Sequence, residues 1–281
     1  MLLRFGVALD LRPRDFVRLV RQPAAPLIGM ACQFLLLPAL AFPLALWLAP
    51  TPSMALGMML VAACPGGNVS NWLTKFARGR VEVSVGMTAI STVAAVVTTP
   101  LNLAFWGSLH PSTAGLLTEF SLSAADMAGT VALLLVVPVL AGMSVRQWLP
   151  RLADRARPVM TVLSLVFFVL IVGLAFSANF AAFTVAIRYV LLPVAVLNAT
   201  ALLLGYGGGR LFGRSEDECR ALSIEVGIQN SGLGLVLIFG FFGGLGGMAI
   251  VAGWWGIWHI LAGLTLATFW RRRPPASPEV A

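Results

Sequence analysis

With 281 residues, 59% of them hydrophobic and only 11% charged, the chain carries more apolar surface than a soluble domain of this size could bury. Its apolar runs of about 20 residues suit membrane-spanning helices, and the alternating segments of about ten residues that a barrel needs are missing. The formal net charge of +8 gives no reason to invoke nucleic acid, because the basic residues sort to one side of the predicted spans.

In chain order, Met1 to Leu9 is apolar but about half a span long, with its charges following it and no small-residue cleavage site, so it reads as the end of a helix and not as a signal peptide. Eight full spans are expected at 24–48, 54–77, 81–105, 126–145, 158–176, 184–209, 218–242 and 248–270. Of the 19 basic residues, all but Arg4 and Arg188 fall before the first of these spans or after the second, fourth, sixth and eighth. The excess of Lys and Arg in cytoplasmic loops then predicts a cytoplasmic C-terminus. Trp47, Trp106, Trp254 and Trp255 mark outer ends, and Trp148 and Trp270 inner ones. A single lysine and abundant Arg and Ala fit a GC-rich bacterial genome, hence a bacterial inner membrane.

The second span does not read as one helix. Apolar residues from Met54 to Ala63 give way to Cys64, Pro65, Gly66, Gly67, Asn68, Val69, Ser70 and Asn71. Proline removes a backbone donor, two glycines follow, and the helix is expected to stop near mid-membrane and restart at Asn68. Cys32, Cys64 and Cys219 lie in spans or on the cytoplasmic side, which makes a structural disulfide improbable; Cys64 is a candidate soft ligand or, more blandly, a small buried hydrophobe. In the third span Ser84, Thr88 and Ser91 share one face at i, i+4 and i+7. Such a stripe serves either an ion or merely the local backbone carbonyls.

In the seventh span Glu225 places a carboxylate at membrane depth, at a cost of roughly 2.5 to 3.5 kcal/mol, which is usually tolerated only where something cationic or protic meets it. Val226, Gly227, Ile228, Gln229, Asn230, Ser231 and Gly232 follow, a second predicted break in a span of opposite direction. Two interrupted spans in corresponding halves point to a transport site between inverted repeats. Hydroxyl, amide and carbonyl oxygens around one carboxylate suit a hard cation such as Na⁺. His259, near the centre of the last span, could bond an anionic substrate, carry a proton, or sit neutral on a backbone carbonyl.

The residues Cys64-Pro65-Gly66-Gly67-x-x-Ser70-Asn71, Ser84 and Thr88, Glu225-Val226-Gly227-Ile228-Gln229-Asn230-Ser231-Gly232 and Trp258-His259 resemble the bile acid:sodium symporter family, from residue 1 to about 270. The resemblance implies two inverted five-helix repeats, a panel and a core domain, and two discontinuous helices crossing at the substrate site. It implies one Na⁺ held by Ser70, Asn71, Ser84, Thr88 and Glu225. A second would be held by Glu225, Gln229, Gln33 and the carbonyls of Val226 and Ile228. Asn68, Asn230 and His259 would face the substrate. Two departures stand out: Ile260 occupies the place of an amide common in bacterial relatives, which argues against a sterol-like substrate, and the chain starts where the family's second helix is ending, which suggests a start codon placed too late.

The expected fold class is therefore all-α: a polytopic membrane protein, an inverted-repeat secondary transporter with two discontinuous crossing helices. It forms a single transmembrane domain over 1–281. Within it, 1–23 is a partial helix and basic loop, 24–145 the remainder of the first repeat and the start of the second, 146–270 the rest of the second repeat, and 271–281 a cytoplasmic tail. The expected activity is Na⁺-coupled import of an organic anion, bile-acid-like or a small carboxylate, by alternating access, with two Na⁺ as coupling ions, no other cofactor and no catalytic residue. A sodium-independent or proton-coupled carrier of the same fold is one rival. The other is an intramembrane serine protease using Ser231 and His259. The expected partners are the anion, sodium and the lipid bilayer; oligomeric state is not readable.

Overall fold

The computed structural model describes residues 23–67, 69–120, 123–156, 158–160, 162–163, 166, 170, 180–273 and 275, with side chains outside 180–186. Among these residues regular structure is helical. In chain order, α1 is Ala24–Leu48, α2 Pro52–Ala63, α3 Val69–Phe76, α4 Val81–Leu109, α5 Ala114–Glu119 and α6 Ala124–Trp148. They are followed by α7 at Phe180–Leu211, α8 at Glu216–Gly227, α9 at Ser231–Phe241 and α10 at Gly246–Arg271. Five of the described helices are long and apolar enough to cross a membrane. The expected span at 158–176 and the partial helix at 1–9 lie largely or wholly outside the described residues.

Both predicted breaks are present. Helix α2 ends at Ala63, Cys64 turns to extended backbone with ψ 154°, and α3 runs from Val69, so Pro65 and the two glycines interrupt the span as their chemistry demands. Helix α8 ends at Gly227 and α9 resumes at Ser231. The half-helices α2 and α8 have 12 residues each. At 1.5 Å per residue each is roughly 18 Å long, about half of a bilayer's apolar thickness, which puts the breaks near its middle.

Helix α1 contains a wide π-turn at Cys32–Leu36, closed by the Leu37 N–H on the Cys32 carbonyl. Pro38 is its cause: the ring has no N–H for the carbonyl four residues back and collides with it, so the preceding turn opens by one residue. Helix α6 repeats the device at Ala132–Val136 ahead of Pro138.

Lipid is as apolar as leucine, so these helices associate through close packing and polar contacts and not through a hydrophobic drive. Helices α7 and α8 show this most clearly. A Cβ on Gly205 would collide with the Leu222 carbonyl, and one on Gly209 would lie 2.8 Å from Cys219 Sγ. Ser223 Oγ donates to Leu202 O at 2.7 Å across the same seam. The outward faces of α1, α4 and α7 carry exposed Leu27, Leu35, Val97, Leu101, Leu192 and Leu203, as a lipid-facing surface should.

At the other end of α8 the charges are organised and not merely numerous. Glu216, Asp217 and Glu218 occupy its first turn, where the helix dipole favours acids. Arg80, on the α3–α4 connection, grips two of them: Nε to Asp217 Oδ2 at 2.8 Å and Nη1 to Glu218 Oε1 at 2.7 Å. Arg220 was counted among the loop charges that set orientation, yet it is only 3% exposed. Its Nη1 donates to the carbonyls of Ala77 and Trp270, both at 3.1 Å, and its Nη2 to Arg273 O at 2.7 Å, while Nε pairs with Glu216. One guanidinium thus binds carbonyls at the ends of α3 and α10 and ties both to α8.

Candidate functional site

A broken helix leaves backbone groups that lipid cannot satisfy, and here the two breaks satisfy each other. Gly66 and Gln229 form an antiparallel bridge. Gly67 N–H donates to Ile228 O at 2.6 Å and Asn230 N–H to Pro65 O at 2.9 Å. A Cβ on Gly66 would overlap Glu225 Oε1 and force the carboxylate to move, and one on Gly67 would sit 3.1 Å from Gln229 O. The pairing brings the C-terminal ends of α2 and α8 together with the N-terminal ends of α3 and α9. Each helix end carries about half an elementary charge, negative at the C-termini and positive at the N-termini, so the crossing offers a cation-favouring pole and an anion-favouring pole side by side.

Glu225 sits at the negative pole and is 0% exposed. Ser84 Oγ donates to its Oε2 at 2.8 Å and Thr88 Oγ1 to its Oε1 at 2.5 Å. The same two hydroxyls lie 2.8 and 3.4 Å from Asn71 Oδ1, and Thr88 also reaches its own helix at Ser84 O, 3.0 Å away. Both hydroxyls are thus shared among the Glu225 carboxylate, Asn71 Oδ1 and a helix carbonyl. Such an oxygen-rich cluster has the chemistry that suits a hard cation. Ser70 Oγ, wholly buried, has no hydrogen-bond partner among the described residues, which leaves its lone pairs available as well.

The residues expected at a second cation lie beside it. The π-turn of α1 presents Gln33, 0% exposed, whose Nε2 donates to Gln229 Oε1 at 3.3 Å and whose Oε1 has no partner. Gln229 Nε2 donates to Val226 O at 2.9 Å, and Ile228 O accepts from Gly67. Carbonyl oxygens have a second lone pair, so both remain competent ligands.

Of the predicted site residues, then, Asn71, Ser84, Thr88 and Glu225 form one hydrogen-bonded cluster, and Gln33, Gln229 and Val226 form another, with Ile228 at the bridge. Ser91 does not join: its hydroxyl bonds the Thr88 carbonyl at 3.2 Å, the local use that such stripes usually have. Asn68 lies outside the described residues. Asn230 is the N-cap of α9, its Oδ1 accepting from Leu233 N–H at 3.1 Å. His259 stands edge-on to Trp255 at 6.2 Å with a buried, unpartnered Nδ1. It lies one turn before Gly263, which packs on Ile228, so its face of α10 borders the crossing.

Among the described residues no hydrogen bond joins Ser231 to His259, so the dyad that a protease would need is not assembled. Cys64 packs toward Gly234, and no three of His, Cys, Asp and Glu come together among the described residues as a soft-metal cluster would. Two buried polar residues beside the site were passed over in the sequence: Thr74, one turn beyond Ser70 with an unpartnered Oγ1, and Asn198 on α7, which donates to Gly227 O at 2.8 Å. A lone amide in an otherwise apolar span was the available signal for the second.

The sequence model described as the Sodium Bile acid symporter family matches residues 1–185. The chain is 32% identical over 273 residues to an uncharacterized sodium-dependent transporter of Bacillus subtilis, YocS, covering 97% of this chain and 81% of that protein. It is 33% identical over 275 residues to the probable chloroplastic sodium/metabolite cotransporter BASS1 of Arabidopsis thaliana, covering 98% of this chain and 66% of the relative. It is 28% identical over 232 residues to the ileal sodium/bile acid cotransporter of Oryctolagus cuniculus, covering 83% and 65% respectively. The chain thus spans under two thirds of the rabbit protein's length.

Proposed function

Since the chain belongs to the sodium bile acid symporter family, a family of transporters and not of enzymes, we propose that it is a sodium-coupled symporter that carries an organic anion across the membrane in which it is a multi-pass protein. The observation that supports this best is the oxygen-rich cluster on Glu225, where Ser84, Thr88 and Asn71 converge on a carboxylate with no exposure to solvent. One Na⁺ is bound there by Ser70, Asn71, Ser84, Thr88 and Glu225. A second is bound by Glu225, Gln33, Gln229 and the carbonyls of Val226 and Ile228.

Two cations against one carboxylate leave a local charge of +1, and an anionic substrate at the N-terminal ends of α3 and α9 neutralises it. Asn68, Asn230 and His259 are the proposed contacts for that anion. Ion binding then strengthens anion binding and the reverse, which is the coupling a symporter needs. Alternating access follows from one group of helices rocking against the rest around the crossing, in an inverted-repeat plan. The cytoplasmic placement of the C-terminus and a bacterial inner membrane are proposed on the distribution of Arg and Lys and on composition.

The test is uptake into cells or proteoliposomes of carboxylates ranging from small keto acids to bile acids, in sodium and in choline medium. Sodium-dependent accumulation that Glu225→Gln abolishes, with membrane insertion intact, is expected. Equal accumulation in choline would overturn the sodium coupling in favour of a proton-coupled or uncoupled carrier.

A further inference from the structure

We propose that Asn198 is a positioning residue for the cation site, acting through the Gly227 carbonyl; the assignment rests on the symport reading above. Three successive carbonyls end helix α8 at the crossing. Val226 O accepts from Gln229 Nε2 and Ile228 O from Gly67 N–H, both within the two breaks. Gly227 O alone is held from outside, by Asn198 Nδ2 at 2.8 Å from the unbroken helix α7.

Glycine lets its peptide turn more freely than any other residue would, so the orientation of this carbonyl must be supplied by its neighbours. Helix α7 supplies it twice. A Cβ on Gly227 would collide with the Leu202 side chain, one turn on from Asn198, and Ser223 Oγ donates back to Leu202 O at 2.7 Å. Residues 198 and 202 of α7 thus bracket residues 223 and 227 of α8 in two rungs. With Gly227 O turned to α7, the carbonyls before and after it are left facing the breaks, where Gln33 and Gln229 lie.

The amide is not there for stability alone. Asn198 is 0% exposed and its Oδ1 has no hydrogen-bond partner among the described residues, so the gain from Nδ2 is offset by the buried, unsatisfied oxygen. The other half-helix offers a comparison. Thr99 Oγ1, on unbroken α4, donates to Ala63 O at 2.8 Å and caps the last residue of α2 in the same way. No carbonyl of α2 belongs to the proposed ion ligands, so Thr99 is a cap without a site.

The purified full chain in detergent is titrated with sodium chloride against choline chloride at constant ionic strength, with the thermal midpoint as readout. Asn198→Leu, similar in volume and unable to donate or accept, is expected to raise the sodium concentration for half-maximal stabilisation about tenfold, the low end of what losing outer-shell support costs a metal site, because freeing Gly227 O unfixes the ligating carbonyls on either side of it. Its sodium-free midpoint stays within about 3 °C of wild type. Thr99→Val is expected to lower the sodium-free midpoint and leave the half-point unchanged. Asn198→Ala is read in the same way where the leucine variant does not fold, and failure of both to fold overturns the assignment, since it would make Asn198 a scaffold residue. An unshifted half-point in a folded Asn198 variant, or an equal shift from Thr99→Val, overturns it too. A wild-type chain indifferent to sodium overturns the symport reading and this assignment together, whereas a responsive wild type with an unshifted variant overturns this assignment alone.

Discussion

Thr88 and Ser84 both donate to Glu225, but they do so from different positions in the cluster. Thr88 Oγ1 makes the shorter bond, 2.5 Å, and also reaches its own helix, whereas Ser84 Oγ sits 2.8 Å from both Glu225 and Asn71 and links the two. Thr88→Val preserves volume and removes one oxygen from the site. Hydrogen bonds to a charged group contribute roughly 1.5 to 3 kcal/mol, so the sodium concentration for half-maximal uptake is expected to rise by about tenfold or more, with the amount of protein in the membrane unchanged. Ser84→Ala, which loosens Asn71 as well, is expected to raise it at least as far. Both are checked by sodium-dependence curves at fixed substrate, and an unaltered curve for either would remove that residue from the ligand set.

At the scale of elements, the crossing and the charged end of α8 answer to different residues. Gly66→Ala puts a methyl group where Glu225 Oε1 already lies, in the segment that bridges to Gln229. Overpacking of this kind costs about 1 to 3 kcal/mol, and here it also displaces the carboxylate, so sodium-dependent uptake is expected to disappear while the helices remain inserted. Far from the site, Arg220→Met strips the carbonyls of Ala77, Trp270 and Arg273 of their shared donor and leaves Glu216 with one partner fewer. Hydrogen bonds from a charged donor are worth roughly 1.5 to 3 kcal/mol each, and several are lost here, so the sodium-free thermal midpoint should fall by several degrees. A midpoint equal to wild type would mean that α3, α8 and α10 are held together by packing alone.

For the whole molecule, acid is the informative perturbation, and two groups outside the spans respond to it. His110, at the C-terminal end of α4, is pushed below its usual value by burial. The unfolded chain then takes up a proton near pH 6 that the folded chain refuses, so stability is full above about pH 6.5 and declines below it. Asp217 is pushed upward by burial, but the hydrogen bonds from Ser215 and Arg80 and the Arg80 charge outweigh this and hold its carboxyl below the ordinary range. Its contribution is present above about pH 3.9 and is lost as the pH falls through the lower folded value. A scan of thermal midpoint against pH is expected to be flat from 8 to 7 and to fall from about 6.5 downward. His110→Gln should make the fall near pH 6 shallower and leave the acid limb, which Asp217→Asn should in turn reduce.

Much of this protein could be read along the chain. The membrane class, the positions of most spans and both helix breaks follow from composition, proline and glycine chemistry and periodicity, all of which act between neighbouring residues, whereas the grouping of Asn71, Ser84, Thr88 and Glu225 was implied by the resemblance to a known family. The rest depends on partners far apart in sequence. Whether Arg220 is a solvated loop charge or a buried clasp, whether Ser91 reaches the cluster or its own helix, and whether Asn198 touches Gly227 are set by how each helix is rotated and how closely it approaches the next. That rotation comes from side-chain packing summed over whole helix faces, and in lipid no hydrophobic drive selects it from a local pattern. The pairing of Gly66 with Gln229, which joins two separate breaks into one site, is therefore a property of the tertiary structure alone.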